Sequence, residues 1–348
     1  MRGLRVFVFV LAAAVLRGPA WADSVTPAAT VVATAAPAAK VATLLDDWVD
    51  TARGRTLPVK VYYPASGDGP FPVVVVSHGL GGTREGIAYL GEYFAAHGYI
   101  SLHVQHPGSD DSAWRGKMRP MASMRKAATD LDNILDRPKD VTFVLDEAER
   151  RAKAGDALWA KADFTRVAVA GHSFGAFTAL AAAGRELKGP MGNMSVNLGD
   201  PRIKACIALS APASAREAKN GSYDTIKVPC LHMTGTEDNS PIGETSAKDR
   251  RIPFDSINGA DQYLLTFKGG DHMIFNGPRK RTGLAALRGS SISVETEARY
   301  EKLIEECTTE FLDASLRGDK PALFFLQDGG FARELGIDGV WEVKKLGK

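Results

Sequence analysis

Ser173 lies at the centre of a sequence typical of an activated nucleophile. Gly171-His172-Ser173-Phe174-Gly175 is a G-x-S-x-G motif, which follows the apolar run 167–170 and opens the helix-like run 176–183. This strand–turn–helix setting is that of a nucleophile elbow, where the serine hydroxyl projects from a strained turn. Small residues are needed two positions to either side, since larger side chains would collide with the neighbouring strand and helix. The motif predicts a serine nucleophile, and a tight corner in a buried core is the alternative.

A serine hydroxyl is a weak nucleophile, so it needs a base within hydrogen-bond reach and an acid that orients the base. In enzymes built on a nucleophile elbow, the order along the chain is serine, acid, histidine. Of the seven histidines, His232 and His272 follow Ser173. His232 lies inside an apolar run and is predicted to pack in a strand. His272 follows a strand-like run and Lys268-Gly269-Gly270, and it is the predicted base.

Asp238 is the predicted acid. It stands in "TGTEDNSP", just past the strand-like run 229–234, at a carboxyl end where ligands gather in open α/β sheets. Glu237 is the neighbouring alternative. Asp271 adjoins His272, but adjacent residues at a turn seldom allow a carboxylate to reach the facing imidazole nitrogen.

Acyl transfer also needs two N–H donors for the oxyanion of its intermediate. The first is predicted to be the N–H of Phe174, the residue after the nucleophile. The second is assigned to Leu80, with Gly79 close behind, in the loop His78-Gly79-Leu80-Gly81-Gly82 after an early strand. An ordinary glycine-rich turn is the alternative. A phosphate-binding loop is disfavoured, because the Lys-Ser/Thr ending and the G-x-G-x-x-G pattern are missing.

Other residues near the predicted site suggest a pocket and exclude a metal. Trp114 is predicted to wall the acyl pocket, in a Met-rich segment that otherwise reads as an amphipathic helix packing its Met face on the sheet. The connection Glu186 to Pro201 is too short for an elaborate lid, which predicts an open, shallow site suited to short or exposed acyl chains. His103 and His106 are three residues apart on a strand and point to opposite faces, so no metal is expected. No cofactor is implied.

Strand-like and helix-like segments alternate from residue 56 onward, which predicts an α/β fold with a mostly parallel central sheet and helices on both faces. The strand-like segments are 57–64, 72–79, 99–106, 166–171, 203–210, 229–235 and 262–267. The helix-like segments are 85–97, 140–153, 176–185 and 294–316.

The N-terminal residues and the composition indicate how the chain is exported, how it is divided and which partners are disfavoured. Arg2 and Arg5, the apolar run 6–16 and the pattern Ala20-Trp21-Ala22 predict a secretory signal peptide over 1–22. A low-complexity linker is expected over 23–43 and a single domain over 44–348. No stretch is as long as the roughly 20 apolar residues that span a bilayer. A net charge of +2, with both signs interspersed, makes nucleic acid a poor partner.

Three cysteines follow the predicted leader: Cys206, Cys230 and Cys307. In an exported protein an even number would suggest disulfides, but three is odd. Buried free thiols are favoured over a bridge between Cys206 and Cys230.

The chain resembles the α/β-hydrolase superfamily from Leu44 to about Leu316, on the motifs above and on "SHGLGG", "HGYISLHVQHPGS", "RPKDVTFVLD" and "GHSFGAFTAL". More narrowly, it looks like the bacterial branch related to dienelactone hydrolases and similar to platelet-activating factor acetylhydrolases. Dienelactone hydrolases carry a Cys nucleophile, where this chain has Ser173. The acetylhydrolases carry the acid at the position of Ser210, which implies that the acid here has moved to Asp238.

The sequence therefore predicts a secreted serine hydrolase of carboxylic esters, acting on a small-molecule or polymeric ester. Acyltransferase or peptidase chemistry on the same residues is an alternative, since fold and triad do not fix the acceptor. A non-catalytic binding protein of the same fold is another. The oligomeric state stays open.

Overall fold

A nine-stranded sheet forms the frame of the chain, for which the computed structural model describes residues 39–189, 195–277 and 292–347. The strand order is β1-β2-β4-β3-β5-β8-β9-β10-β11. The six strands from β4 to β10 pair in parallel, and the pairings at the two edges, β1 with β2, β2 with β4 and β10 with β11, are antiparallel. The predicted α/β fold with a mostly parallel sheet is confirmed.

The strands are β1 Val41–Asp50, β2 Arg55–Pro64, β3 Phe71–Ser77, β4 Ile100–Val104, β5 Ala162–His172, β6 Glu186–Lys188, β7 Ser195–Asn197, β8 Ile203–Leu209, β9 Cys230–Glu237, β10 Gln262–Asp271 and β11 Gly339–Lys344. The α-helices are α1 Ala88–Ala96, α2 Pro120–Thr129, α3 Leu131–Lys153, α4 Phe174–Ala182, α5 Ala215–Lys219, α6 Ile252–Ser256, α7 Val294–Leu312, α8 Lys320–Gln327 and α9 Gly330–Leu335. A π-helical turn, Asp313–Arg317, continues α7.

Two apolar layers hold the helices against the sheet. On one face, α3 and α4 pack Val141, Val144 and Leu180 against strand residues such as Val75 and Val169. On the other face, α1 and α7 bury Phe94, Leu303 and Ile304. Because the central strands are covered on both faces, they are apolar throughout, as in Val73–Val76, rather than alternating.

The carboxyl ends of β3, β5, β8, β9 and β10 meet at one edge of the sheet, because these strands are parallel and adjacent. The loops that follow them begin at His78, Ser173, Ser210, Asp238 and His272. Residues far apart in sequence are thereby placed at a common edge.

Helix α3 begins nine residues earlier than predicted, at Leu131 instead of Asp140. The Asp130 carboxylate caps it by accepting from the N–H groups of Asp132 and Asn133, at 3.0 and 3.4 Å. Pro138 lies inside the helix. Proline lacks the N–H that a helix interior needs and is usual only in the first turn, so a helix that continues through Pro138 is not what sequence pattern favours.

Several elements were not predicted. Strand β1 begins at Val41, within the range expected to be linker, and its outward side chains alternate with buried ones as an edge strand requires. Helices α8 and α9 and strand β11 follow Leu316, where the recognised resemblance ends. The predicted signal peptide and most of the predicted linker lie outside the described residues.

All three cysteines are buried free thiols. Cys206 and Cys230 are register partners on the neighbouring strands β8 and β9. Burial raises the pKa of the Cys206 thiol well above its ordinary value, which keeps it protonated and unreactive.

None of the helices in the described ranges is long and apolar enough to cross a bilayer.

Helix α7 carries half-buried carboxyl groups close to one another. Burial, followed by the charge of Glu301, raises the pKa of Glu305 to about 7. Burial, followed by the charges of Asp313, Glu306 and Asp319, raises the pKa of Glu310 to about 7. These groups bind protons more tightly in the folded chain than in an unfolded one, whose glutamates have a pKa of about 4.3.

We therefore expect the contribution of Glu305 and Glu310 to the free energy of unfolding to fall as the pH rises from about 4.3 to about 7, where the folded state holds more protons on these two groups than the unfolded state. Replacing both residues, Glu305→Gln with Glu310→Gln, should weaken this dependence and make the variant more stable than the wild type at about pH 8. Urea denaturation midpoints of both proteins at about pH 5.5 and about pH 8 measure the effect. An unchanged difference between the two proteins at both pH values would contradict it.

Candidate active site

Ser173 stands in a strained turn between β5 and α4. Its φ is 56° and its ψ is −117°, a conformation that a residue with a side chain rarely adopts. A Cβ on Gly171 would lie 2.2 Å from the Gly175 carbonyl oxygen, and a Cβ on Gly175 would lie 1.9 Å from the Ser77 carbonyl oxygen. The two motif glycines are therefore required by backbone contact.

Ser173, His272 and Asp238, the three residues predicted as a triad, form one hydrogen-bonded chain. His272 Nε2 lies 2.9 Å from Ser173 Oγ, and His272 Nδ1 lies 2.7 Å from Asp238 Oδ1. Because a carboxylate only accepts, Nδ1 carries the proton, and Nε2 of the neutral imidazole accepts from the serine hydroxyl. This is the arrangement in which a histidine takes a proton from a serine.

The Asp238 carboxylate is fully buried and held from two sides. Its Oδ2 accepts from Ser210 Oγ at 2.5 Å and from Thr234 Oγ1 at 2.9 Å. Burial alone would raise the pKa of Asp238, but the hydrogen bond from His272 and the charge of Arg250 outweigh it and lower the pKa below its ordinary value. The carboxylate is thus ionised at neutral pH. Ser210 occupies the position at which the acetylhydrolases carry the acid, and here its hydroxyl donates to Asp238.

The alternative acids do not contact the imidazole of His272. Glu237 ends β9 with an exposed side chain. Asp271 Oδ1 accepts from the N–H of Met273, at 2.9 Å, in the turn that follows β10. The structure thus brings Asp238, rather than either neighbour, to His272.

Arg250 belongs to this cluster and was missed in the sequence. It is 2% exposed, on a short 3₁₀ helix after β9. Its Nη1 and Nε donate to the carbonyls of Ser210 and Asp238, at 2.8 and 3.1 Å. Its Nη2 lies 3.3 Å from Asp238 Oδ1 and 3.2 Å from His272 Nδ1. It sits in a run of charged residues, "AKDRR", in which nothing marks it as buried.

The side chain of His78 helps to orient the peptide groups of the loop after β3. The N–H of His106 donates to His78 Nε2 at 3.0 Å, so the ring proton is on Nδ1, which donates to the Gly79 carbonyl at 2.7 Å. The same carbonyl accepts from Gly82 N–H at 3.0 Å. In a trans peptide the N–H points opposite to the C=O, so the N–H of Leu80 points away from these donors. Within the described ranges, the N–H groups of Leu80 and Phe174 have no hydrogen-bond acceptor.

A cavity of about 800 Å³ borders Ser173 and His272. Its apolar walls come from the loop after β3, the segment around α2, helix α4 and the loop after β9. They include Gly79, Leu80, Trp114, Met124, Phe174, Phe177, Ile242 and Met273. Trp114, predicted to wall the pocket, also donates from Nε1 to the Gly81 carbonyl at 2.8 Å and so braces the loop after β3.

The volume of about 800 Å³ lies in the upper range of small-molecule pockets, and the open, shallow shape stays a prediction. The described residues of 186–201, which form β6 and β7 and were considered as a lid, contribute no wall; 190–194 lie outside the described chain. The Met face of α2 does not pack on the sheet: Met118 just before the helix is fully exposed, and Met121 is half exposed.

The remaining histidines are held by structural contacts. His172 Nε2 donates to the His272 carbonyl at 2.9 Å, and burial lowers the pKa of His172 to about 3. His232 Nε2 pairs with Gln262 in the sheet, at 2.9 Å. His103 contacts the Gly86 carbonyl and Ser101. Over the described residues, no cluster of three or more potential ligands could hold a metal.

Comparison with known proteins identifies the family. The family model described as PET hydrolase-like matches residues 15–318, most of the chain. The chain therefore belongs to the PET hydrolase-like family of the α/β-hydrolase superfamily, and the predicted superfamily is confirmed. The narrower resemblance to dienelactone hydrolases and acetylhydrolases stays a prediction.

The chain is also similar to bacterial cutinases. It is 23% identical over 244 residues to cutinase est2 of Thermobifida alba, covering 70% of this chain and 66% of the relative. It is 24% identical over 246 residues to cutinase 1 of Thermobifida cellulosilytica, covering 70% and 76%. A cutinase of Thermobifida fusca is 24% identical over 246 residues, covering 70% and 66%. The chain thus spans just under two thirds of the length of the T. alba and T. fusca proteins.

Replacing Gly175 with Ala should destabilise the fold by about 1–3 kcal/mol or more, because the new methyl would overlap the Ser77 carbonyl oxygen. Gly155→Ala is the control: unlike Gly175, Gly155 has a positive φ, 84°, but no atom lies within 4 Å of a Cβ there. It should lose only the strain of about 1 kcal/mol. Chemical denaturation of the three proteins measures this, and equal losses in both variants would show that backbone contact is not what requires Gly175.

Proposed function

From the family and from the geometry around Ser173, we propose that this protein is a secreted serine hydrolase that cleaves carboxylic esters through an acyl-enzyme. The observation that carries the proposal is the continuous chain from Ser173 Oγ to His272 to Asp238, with distances of 2.9 and 2.7 Å, at the border of an apolar cavity. A buried carboxylate, a neutral imidazole and a partly exposed serine hydroxyl are the groups that acyl transfer requires.

Acylation begins when Ser173 Oγ attacks the carbonyl carbon of the ester, while its proton passes to His272 Nε2. The electron pair of the carbonyl bond moves to its oxygen, which becomes an oxyanion. The N–H groups of Leu80 and Phe174 stabilise this charge, since both lie beside Ser173 and have no other acceptor in the described chain. Asp238 stabilises the imidazolium and keeps the ring in its orientation.

The tetrahedral intermediate collapses when the bond to the alkoxy oxygen breaks and His272 gives its proton to that oxygen. The alcohol leaves, and the acyl group stays on Ser173. Water then attacks the acyl carbon, again giving its proton to His272, and the acid is released as Ser173 Oγ takes the proton back. The atoms balance with water as the only co-reactant, so the reaction needs no metal or cofactor.

The proposed substrates are small or polymeric esters with an acyl part of short to moderate length. The cavity is lined mainly by apolar side chains such as Trp114, Met124 and Phe177, which suits a hydrocarbon or aromatic group. The carboxylate of Asp111, on the cavity wall, forms an ion pair with Arg115 at 2.7 Å, so its charge is compensated. The cutinase names of the relatives support a carboxylic ester as the bond that is cleaved.

The proposed organisation of the chain is a signal peptide over 1–22, a linker over 23–43 and one catalytic domain over 44–348. Support comes from the basic and apolar pattern of the first residues and from the A-x-A site at Ala20 to Ala22. The five proposed site residues, Ser173, Asp238, His272, Leu80 and Phe174, all lie in segments that directly follow strands of the nine-stranded sheet.

The first test is the triad. Ser173→Ala and His272→Ala should each lower kcat for p-nitrophenyl butyrate by about 10⁴–10⁶-fold, because triad members act as a unit. Asp238→Asn should lower it by about 10⁴-fold, because the imidazole loses its orienting acceptor. Stopped assays of initial rate, together with intact mass after a fluorophosphonate, measure both: wild type should gain one adduct, on Ser173.

Glu237→Gln is the matched control for Asp238→Asn, since it removes the neighbouring carboxylate without touching His272. It should stay within about twofold of wild type, as exposed substitutions usually do. A larger loss in Glu237→Gln than in Asp238→Asn would refute the acid assignment. An adduct on another serine would refute the nucleophile.

The second test is acyl-chain length. Each methylene buried in the cavity contributes up to about 0.8 kcal/mol, which is about fourfold in kcat/KM. Hexanoyl esters should therefore outperform acetyl esters, and the rise should end before palmitoyl esters, because methylenes that extend past the walls are not buried and add nothing. Ile242→Ala, which removes part of one wall, should lower kcat/KM more for hexanoyl than for acetyl. A continuous rise to palmitoyl esters, or no chain-length dependence, would contradict this cavity as the acyl site.

A further inference from the structure

Arg137 of α3 is completely buried beneath the loop after β3. Its Nε donates to Thr178 Oγ1 at 2.8 Å, its Nη1 to Ser109 Oγ at 2.8 Å, and its Nη2 to Ser77 Oγ at 2.9 Å and to the His78 carbonyl. The triad chemistry uses none of these contacts. The residue opens "RPKDVTFVLD", a motif whose role the sequence left unexplained.

The acceptors around Arg137 are neutral. No carboxylate in the described chain lies within ion-pair distance, 4.0 Å, of its guanidinium. Burial lowers the pKa of Arg137 to about 9, which still leaves it charged at neutral pH. Burying a cation among hydroxyl and carbonyl groups costs free energy that an apolar side chain would not. The guanidinium therefore calls for an explanation other than core stability.

Arg137 joins the two elements that carry the proposed oxyanion donors. On one side it holds the carbonyl of His78, two residues before Leu80, and Ser109, whose carbonyl accepts from Gly81 N–H at 2.8 Å. On the other side it holds Thr178 of α4, and its guanidinium carbon lies 4.6 Å from the ring centroid of Phe174.

Thr178 extends this link to the backbone of the second donor residue. Its hydroxyl accepts from Arg137 and donates to the Phe174 carbonyl at 2.9 Å. The guanidinium is planar and rigid, so its nitrogens fix the loop and the helix at one separation.

A second buried Ser–His–Asp chain orients the hydroxyl of Ser77 toward this link. Ser77 Oγ lies 2.9 Å from His106 Nε2, and His106 Nδ1 lies 2.9 Å from Asp140 Oδ2. Arg137 only donates, so Ser77 accepts from it and donates to His106, whose Nδ1 proton goes to Asp140. Ser77, His106 and Asp140 are all fully buried, so this chain has no access to a substrate. It fixes hydrogen positions around Arg137.

We propose that Arg137 is a positioning residue of the oxyanion hole: by bridging the loop after β3 and helix α4, it sets the separation of the Leu80 and Phe174 N–H groups. The inference rests on the proposed function. Two N–H groups on different elements must be placed within a fraction of an ångström to bind one oxygen, and a misplacement of about 1 Å can cost about 100-fold.

The test compares catalysis with the binding of an oxyanion analogue. An alkyl trifluoromethyl ketone adds to the nucleophilic serine and forms a tetrahedral oxyanion. In Arg137→Lys, which keeps the charge but loses the planar fork, kcat should fall about 10- to 100-fold, with KM within about threefold. The inhibition constant of the ketone should rise by the same factor as kcat falls, which a general loss of fold would not produce.

Thr178→Val is the milder variant, because valine has the shape of threonine without its hydroxyl. We expect a loss of about 3- to 10-fold in kcat and in ketone affinity, mostly restored by Thr178→Ser, which keeps the hydroxyl. Arg202→Gln is the control for a helix contact outside the site: Arg202, just before β8, pairs with Asp146 and Glu149 of α3, at 2.7 and 2.9 Å, and contacts no part of the site. It should lower the denaturation midpoint and leave kcat and ketone affinity unchanged.

The outcomes separate this inference from the proposed function. If the ketone does not inhibit wild type, or inhibits without adding to Ser173, the proposed function fails. If the ketone inhibits wild type through Ser173 and binds Arg137→Lys and Thr178→Val with wild-type affinity, the positioning role of Arg137 is overturned. If Arg137→Lys does not fold, Thr178→Val and Thr178→Ser decide.

Discussion

The close contact between the nucleophile turn and the end of β3 is the constraint on which the site depends. Gly175 approaches the Ser77 carbonyl so nearly that a single added carbon would lie 1.9 Å from it. This contact places the first turn of α4 beside the loop 78–82, and the N–H groups of Phe174 and Leu80 come from those two segments. The contact leaves no room for a side chain at position 175, and the buried Arg137 donates to Ser77 and His78 on one side of it and to Thr178 on the other.

Two Ser–His–Asp chains with nearly equal distances lie within this one fold, and they show that such a chain does not by itself make an active site. Ser173 is partly exposed at a cavity, and its hydroxyl lies 2.9 Å from His272 Nε2, which takes its proton in the proposed reaction. Ser77 is fully buried and receives a hydrogen bond from Arg137, so its lone pair is already engaged. The two chains therefore differ in two respects. Only Ser173 borders the cavity, and the oxygen of Ser173 is the nucleophile of the proposed reaction, whereas the oxygen of Ser77 is a hydrogen-bond acceptor.

The fold and the polar residues of the site could be predicted from the sequence more completely than the residues that surround them. Ser173, Asp238 and His272 could be selected because strand ends and chain order limit the candidates, and the structure brings them together. Arg137 and Arg250 could not, because burial of a charged side chain depends on which distant loops cover it. The extent of the cavity could not be predicted for the same reason, because its walls come from several segments that are distant in sequence.

Both buried arginines contact parts of the proposed site, but their electrostatic effects differ. Arg137 contacts only neutral acceptors, so its charge reinforces hydrogen bonds to the loop and helix. Arg250 Nη2 lies 3.2 Å from His272 Nδ1 and 3.3 Å from Asp238 Oδ1, and its charge helps to keep the pKa of that carboxyl low. In the proposed reaction, an imidazolium on His272 would face this cation, and the ionised Asp238, whose Oδ1 contacts both groups, would compensate for the repulsion. The low pKa of Asp238 keeps that negative charge in place at neutral pH.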